Sequence, residues 1–563
     1  MKNKKLYSIV VSGILLLNFF GCQSNFLDTG YDTMQTPQII ATNRSTLFLF
    51  ANQFYANLQQ SGFSIIDNNL LAAASDEAQQ VASSSSAQTF NNGMITSYNN
   101  PLSGYYKNYY DGIRAVHFFL DYSKNYRQFL ALNRDTIFES DQYQLDIKNI
   151  KWYRAEAHIA QAYYYMELIK LYGGVPLVNG LLEQTSNLYI PKSPYDSVVN
   201  FIVSEIDTYK KDLQVNWKTD TQFAASDGRF SLGSALAIKT RVLLYAASPL
   251  HNPNNDVVKW QRAASAANDL INTSGLNLFL ATSYANYFIG NNPLTSTETI
   301  LAIRSSANNT IEKQNYPIAT PGGSTGECPT ENLVSQYEYV GIPYAANRYA
   351  NRDPRFAASI VYNGSVWNSR VINQLPGGTD DLTKSKASPT GYYLKKFLTD
   401  NLNLTASTPG TAQHQWVVFR YAEILLDYAE AMNEAYGPDY APTGYTMNAR
   451  QALIKVRARA SNSLPAITTT AVSDFRNAVK HERMIELAFE GHRYWDLLRW
   501  KDAETVLNKP VQGVQISGLS TAPIYTVVDV AKRVFNAQAN YYFPFQYSEI
   551  VNSKGTLIQN PGY

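Results

Sequence analysis

The chain has 563 residues, room for three or four domains of about 150 residues or for fewer large ones. Apolar residues make up 45% and charged residues 16%, which excludes a disordered tail or a charged coiled coil. The formal net charge is only +2, so the basic excess of a nucleic-acid binder is absent.

Residues 1–21 read as a leader. Lys2, Lys4 and Lys5 give a basic start, and residues 6–20 carry no charge. A membrane-spanning helix needs about 20 apolar residues, so this shorter run predicts an export signal rather than an anchor. The Gly21-Cys22 junction resembles that of bacterial lipoproteins, which implies a lipid on Cys22. Each buried methylene of such a lipid contributes about 0.8 kcal/mol to membrane attachment. Removing the leader's lysines leaves 44 of the 47 basic residues against 45 acidic ones, a balance of −1. Cys328 is the one other cysteine, so a lipidated Cys22 leaves no intramolecular disulfide.

Helical periodicity dominates the chain beyond the leader. Residues 46–60 repeat Leu47, Phe50, Phe54 and Leu58 on one stripe, and 106–122 repeat Tyr110, Ile113, His117 and Leu120. Residues 150–172 align Trp152, Ala155, Ile159, Ala162, Met166 and Ile169. Gly173-Gly174 and Pro176 stop that helix. A helix over 196–213 is expected to start from an N-cap at Ser193. Ala- and Leu-rich 232–247 comes next, then 256–273 with Trp260, Ala263, Ala267 and Leu270 on one face. After a long interval come 421–436, 447–460 and 474–500. The helices pair with small residues where they would approach, the pattern of stacked tetratricopeptide-like hairpins. The expected fold is therefore mostly α, helical over about 22–275 and 416–563. Residues 276–415 form a long loop-rich insertion with short β pieces such as 299–303. An insertion of that length is usually functional or disordered, and its aromatic content favours function.

Catalytic patterns are incomplete. Gly322-Gly323-Ser324-Thr325-Gly326 fits G-x-S-x-G, but Pro321 before it and Pro329 after it oppose the required strand–turn–helix. His481-Glu482 opens like a zinc-protease helix, yet Ile485 stands where the second histidine must be. The six histidines are scattered singly. Glu486 and Glu490 are four apart on one helix and read as a salt-bridged face rather than glycosidase carboxylates. No catalytic residue, metal or cofactor is expected. Within 474–500, Met484, Leu487, Ala488, Trp495 and Leu498 form a buried stripe, while Glu490, Arg493 and Asp496 are expected to pair along one flank.

Residues 482–500, ERMIELAFEGHRYWDLLRW, carry the most specific signal. They resemble the C-terminal signature of the SusD/RagB family of outer-membrane nutrient-binding lipoproteins. Other similar runs occur in the family's order: Phe26-Leu27-Asp28, YYMEL with YGGVPL (164–177), RVLLYA (241–246), RDPRF (352–356), RYAEILL with YAEA (420–431), and QNPGY (559–563). The resemblance implies a lipid-anchored protein on the outer face of the outer membrane. It also implies a partner, a SusC-type TonB-dependent barrel, over which the protein closes as a lid after capturing an oligo- or polysaccharide. A lipid-anchored glycoside-degrading enzyme and a peptide-capturing member of the family are the alternatives.

Rings stack on the C–H faces of sugars, and micromolar affinity needs about 8 kcal/mol. One aromatic contact supplies about 0.5–1.5 kcal/mol beyond burial, so an arc of several is required. The resemblance places ligand contacts in the loop after Asp76-Glu77 and in the segment before Pro329-Thr330. The first offers Phe90, Tyr98, Asn99 and Asn100. The second offers Asn315, Tyr316 and Glu327, with Arg348, Trp367 and Tyr392 beyond. Tyr98 and Tyr316, helped by Trp367 or Tyr392, are the expected arc. Trp217, Trp367 and Trp416 are expected to be free of the core.

Overall fold

The computed structural model describes residues 44–563 except 59–61, 183–187, 221–225, 227, 345–346 and 462. The expected leader, Cys22 as the expected lipidation site and the Phe26-Leu27-Asp28 run lie outside the described residues.

The body is a succession of packed helices, as the periodicity predicts. Ser140–Tyr172 is its spine, 33 residues long, or about 50 Å at 1.5 Å per residue. It ends at Gly173, whose φ of +71° only glycine adopts freely. Gly104–Tyr122 runs antiparallel beside it, with Gly112 against the Tyr164 ring and Arg154 donating to the Leu120 carbonyl. Tyr195–Tyr209, Leu232–Ala247, Val257–Asn272, Tyr421–Tyr436, Ala449–Ala460 and Val472–Glu486 pack on in turn. Leu232–Ala247 opens with a Ser231–Ser234 capping box. Ser193 is not a cap. It pairs with Val175 in a short strand, and Pro194 stands at the N-cap, where its ring offers no acceptor for a capping bond.

Two cores result. One lies within the helical body. The second gathers Tyr316, Tyr337, Phe356, Trp367, Tyr392 and Tyr393 of the loop-rich segment against Met484, Ile485, Ala488 and Phe489. The insertion is thus packed around its own aromatics. All the sheets among the described residues are two-stranded. The longest is a hairpin, Val511–Leu519 against Ala522–Ala531, inside the part expected to be helical.

The 474–500 helix is broken. Val472–Glu486 stops, Phe489 and Gly491 take φ of +66° and +76°, and Arg493–Arg499 resumes in a new direction. The expected flank of Glu490, Arg493 and Asp496 therefore does not form. Glu490 pairs with Arg420 and Lys396, Arg493 with Asp76, and Asp496 with Arg483 and Arg499. The Met484–Leu498 stripe is buried, but on both sides of the break. The seam between the cores is filled by buried ions: Arg420 donates to Glu298 at 2.7 Å, Glu486 at 2.6 Å and Glu490 at 2.7 Å. Such charges persist in a core only when each is partnered.

Candidate functional site

The two loops singled out by sequence leave from one place. Ala78–Gln80 pairs antiparallel with Glu327–Pro329, setting Ala78 opposite Pro329 and Gln80 opposite Glu327. Thr330 clamps the start of the pair, its N–H donating to the Glu77 carbonyl at 3.0 Å and its hydroxyl to the Asp76 carbonyl.

Beyond Gln80 the chain forms the short Ala87–Asn91 helix and then a tight turn. The Thr96 hydroxyl accepts from the N–H groups of Tyr98 at 3.3 Å and Asn99 at 3.0 Å. Val534 N–H donates to the Asn91 carbonyl, and Tyr547 N–H to the Ser97 carbonyl at 3.2 Å, so C-terminal stretches of chain pin the loop. Tyr98, at the turn's tip, is 78% exposed, and Tyr547 is 51% exposed. Their rings stack, centroids 5.0 Å apart at 29°. Asn99 is exposed beside them, its amide reaching the Met94 carbonyl. The result is a fixed aromatic platform open to solvent, with amide and carbonyl groups at its edge.

The other candidates are elsewhere. Phe90 is buried edge-on against Tyr494 and Phe543. Tyr316 is fully buried, donating its hydroxyl to the Thr399 carbonyl and meeting Trp367 edge-on at 6.0 Å. Trp367 is 3% exposed, and Tyr392 is buried with its hydroxyl on Glu331. The expected arc of Tyr98 with Tyr316 is therefore not formed: the aromatics of the second segment pin that segment down instead of facing outward. Asn315, Glu327 and Asn100 are buried too, and Arg348 is paired with Glu331. Trp217, against expectation, is buried with its indole N–H on the Phe230 carbonyl, and half-buried Trp416 covers Gly62. Tyr547 was not singled out by sequence, because it stands far from both loops in the chain.

Two carboxyls beside the strand pair are unusual. Burial pushes Glu77 up to about 8 against the pull of the Phe489 N–H it accepts. Burial, reinforced by Glu77, pushes Glu327 up to about 8 as well. A proton-donating acid has such a value, but each residue is 1% exposed, so no substrate reaches either. A cavity of about 110 Å³ lies in the seam, lined by Trp416, Glu490, His492, Trp495 and Arg241. At about 30 Å³ per water it has room for a few waters and none for an oligosaccharide. No cluster able to hold a metal occurs among the described residues.

A family profile described as "SusD family" matches residues 295–563, and one described as "Starch-binding associating with outer membrane" matches 25–244. SusD-like protein P2 of Formosa agariphila is 25% identical over 420 residues, which are 73% of this chain and 74% of that protein. Among solved structures, a SusD-like protein from Bacteroides fragilis superposes with a TM-score of 0.74 at 23% identity, covering 93% of this chain and 98% of its own. A laminarin-binding SusD-like protein gives 0.65 at 23%, covering 93% and 100%. Surface glycan-binding protein A from Bacteroides uniformis gives 0.66 at 18%, covering 92% and 99%.

Proposed function

We propose that this chain, which belongs to the SusD/RagB family, captures an oligo- or polysaccharide at the outer surface of the outer membrane. The leader 1–21 is removed, Cys22 carries the lipid, and the domain serves as the lid of a SusC-type barrel that imports the captured glycan. The tether keeps the lid at high effective concentration near its barrel.

The observation that carries the binding assignment is the exposed Tyr98–Tyr547 stack. Two large apolar rings held in solvent by backbone hydrogen bonds are a standing surface for the C–H face of a sugar, with Asn99 placed to bond hydroxyls. The two rings supply about 1–3 kcal/mol beyond burial, and a longer glycan crossing neighbouring surface adds the rest. Binding of this kind transfers no proton and breaks no bond, in keeping with the arginine-paired or closed-off carboxylates of the seam.

The test is a binding screen of the exported chain against polysaccharides and peptide pools, with product release followed in the same wells. Retention on one glycan without release is expected, and Tyr98→Ala with Tyr547→Ala should weaken it by about tenfold or more at an unchanged melting temperature. Unchanged retention would remove the platform from the assignment. Peptide binding or release of oligosaccharides would replace the function itself.

A further inference from the structure

A cavity of about 520 Å³ lies between the Gly104–Tyr122 helix and the chain that leaves the end of the spine, within the range of about 300–1,000 Å³ usual for small-ligand sites. Tyr110, Ile113, Val178, Leu181 and Leu188 wall it, with Arg114 beside them. The wall is fixed from behind. Tyr110 donates its hydroxyl to the Pro176 carbonyl at 2.7 Å, and the Val178 N–H donates to the Tyr165 hydroxyl at 2.7 Å. The Val178 carbonyl accepts from buried His117 at 3.1 Å and buried Gln161 at 3.3 Å. These polar atoms are engaged in holding the wall, so the face it turns to the cavity is apolar. Arg114 differs: it is exposed, and among the described residues no group pairs with its guanidinium. The nearby Asp111 is taken by Lys107.

The cavity borders the Tyr98–Tyr547 platform along two routes. On one side the Tyr110 ring lies 4.8 Å from that of Tyr106, and Tyr106 meets Phe545 edge-on at 5.6 Å, two residues before Tyr547. On the other, the Lys554 ammonium stands 4.7 Å over the ring of Tyr189, the neighbour of Leu188 in the wall. The Tyr547–Asn552 helix thus begins at the platform and leads to the mouth of the cavity, a distance of about 10 Å at 1.5 Å per residue. A ligand lying on the platform reaches the cavity with a short extension.

We propose that this cavity is a second subsite that takes an O-acylated sugar unit of the glycan held on the platform, with the acyl group among Ile113, Val178 and Leu181 and its ester carbonyl accepting from Arg114. This rests on the glycan-binding reading given above. The wall chemistry selects the substituent. Bare hydroxyls pressed against aliphatic side chains would lose water and gain no partner. An acyl group has no hydroxyl to desolvate and buries apolar surface there. It carries one strong acceptor, and the cavity offers one unpaired cation to meet it.

The probes are glucose carrying a single acetyl ester at its primary hydroxyl and plain glucose, each followed by saturation transfer from the intact protein. Transfer to the acetyl methyl group should exceed transfer to the ring protons of glucose by about fivefold or more. Arg114→Ala with Leu188→Asp, both at exposed positions, should abolish the acetyl signal at an unchanged melting temperature. Tyr98→Ala with Tyr547→Ala should leave it intact. In affinity gels of acetylated xylan and acetylated glucomannan, de-esterification with mild alkali should lower retention by about threefold or more, and the Arg114–Leu188 variant should erase that difference. Equal transfer to both sugars, or an acetyl signal that survives the Arg114–Leu188 variant, would overturn the subsite alone. An intact acetyl signal with no polysaccharide retained in any screen would overturn the platform reading and the joint site, while the cavity kept its acyl preference. Displacement of the acetyl sugar by dodecanoate at far lower concentration would make this a lipid-chain site and overturn the sugar assignment.

Discussion

Asp76 and Arg493 are 417 residues apart and meet in a two-pronged ion pair, Nε to Oδ1 at 2.8 Å and Nη2 to Oδ2 at 2.9 Å. Burial alone would raise the Asp76 carboxyl; the Arg493 charge outweighs it and holds the group below its ordinary value. The pair fixes the root of the platform loop to the helix that resumes after the break at Phe489. Arg493→Ala leaves a buried carboxylate without its partner, and should destabilise the fold by about 3–5 kcal/mol in denaturant titrations. Arg493→Lys should recover only part of that, because an ammonium cannot match both oxygens.

Tyr316→Ala is expected to be a stability variant. The ring is fully buried, so its loss should cost about 3–5 kcal/mol. Glycan retention per folded molecule should match the wild type. Reduced retention at full folding would return Tyr316 to the binding surface.

Glu327 makes stability depend on pH in a definite direction. Its folded value of about 8 exceeds its ordinary 4.5, so the native state holds the proton more tightly than the unfolded chain does. The contribution is complete below about pH 4.5 and is lost as pH rises to about 8. Against Glu327→Gln, which never ionises, the wild type should lose about 1.4 kcal/mol per pH unit across that window. Denaturant midpoints of both proteins at pH 5, 6.5 and 8 check it; a constant difference would contradict it.

Gly112→Ala should destabilise even though alanine is the better helix former by about 1 kcal/mol. A Cβ there would stand 2.5 Å from the Tyr164 ring, and Tyr164 is fixed by its bond to the Phe54 carbonyl. Overpacking of about 1–3 kcal/mol prevails, visible as a lowered melting temperature.

The helices were legible wherever an apolar stripe met a strong stop. Leu232–Ala247 and Tyr421–Tyr436 have the expected ends, the latter closed by Gly437 at φ +85°. The break within 474–500 was not legible, because Phe489 takes a positive φ that nothing in its side chain favours; the Glu77 carboxylate that accepts its N–H comes from the other end of the chain. The Val511–Ala531 hairpin had a short strand signal, inward Val514 and Ile516 alternating with outward Gln515 and Ser517, but the helical segments before it masked that signal. Loop aromatics look alike in sequence whether they face water, as Tyr98 does, or the core, as Tyr316 does. Only packing separates them, and the same packing brings Tyr547 to Tyr98.

The pairing of Ala78–Gln80 with Glu327–Pro329 also sets an order of events. A chain is made N-terminus first, and contacts separated by hundreds of residues form late because a long loop must close before they are rewarded. The platform loop is rooted in a strand whose partner is about 250 residues downstream, and its stacking partner is Tyr547, near the C-terminus. The helical body can therefore consolidate while the platform is still unmade. A chain truncated before Tyr547 would keep most of its helices and have no platform, so the stacked pair becomes a report that the whole chain has folded.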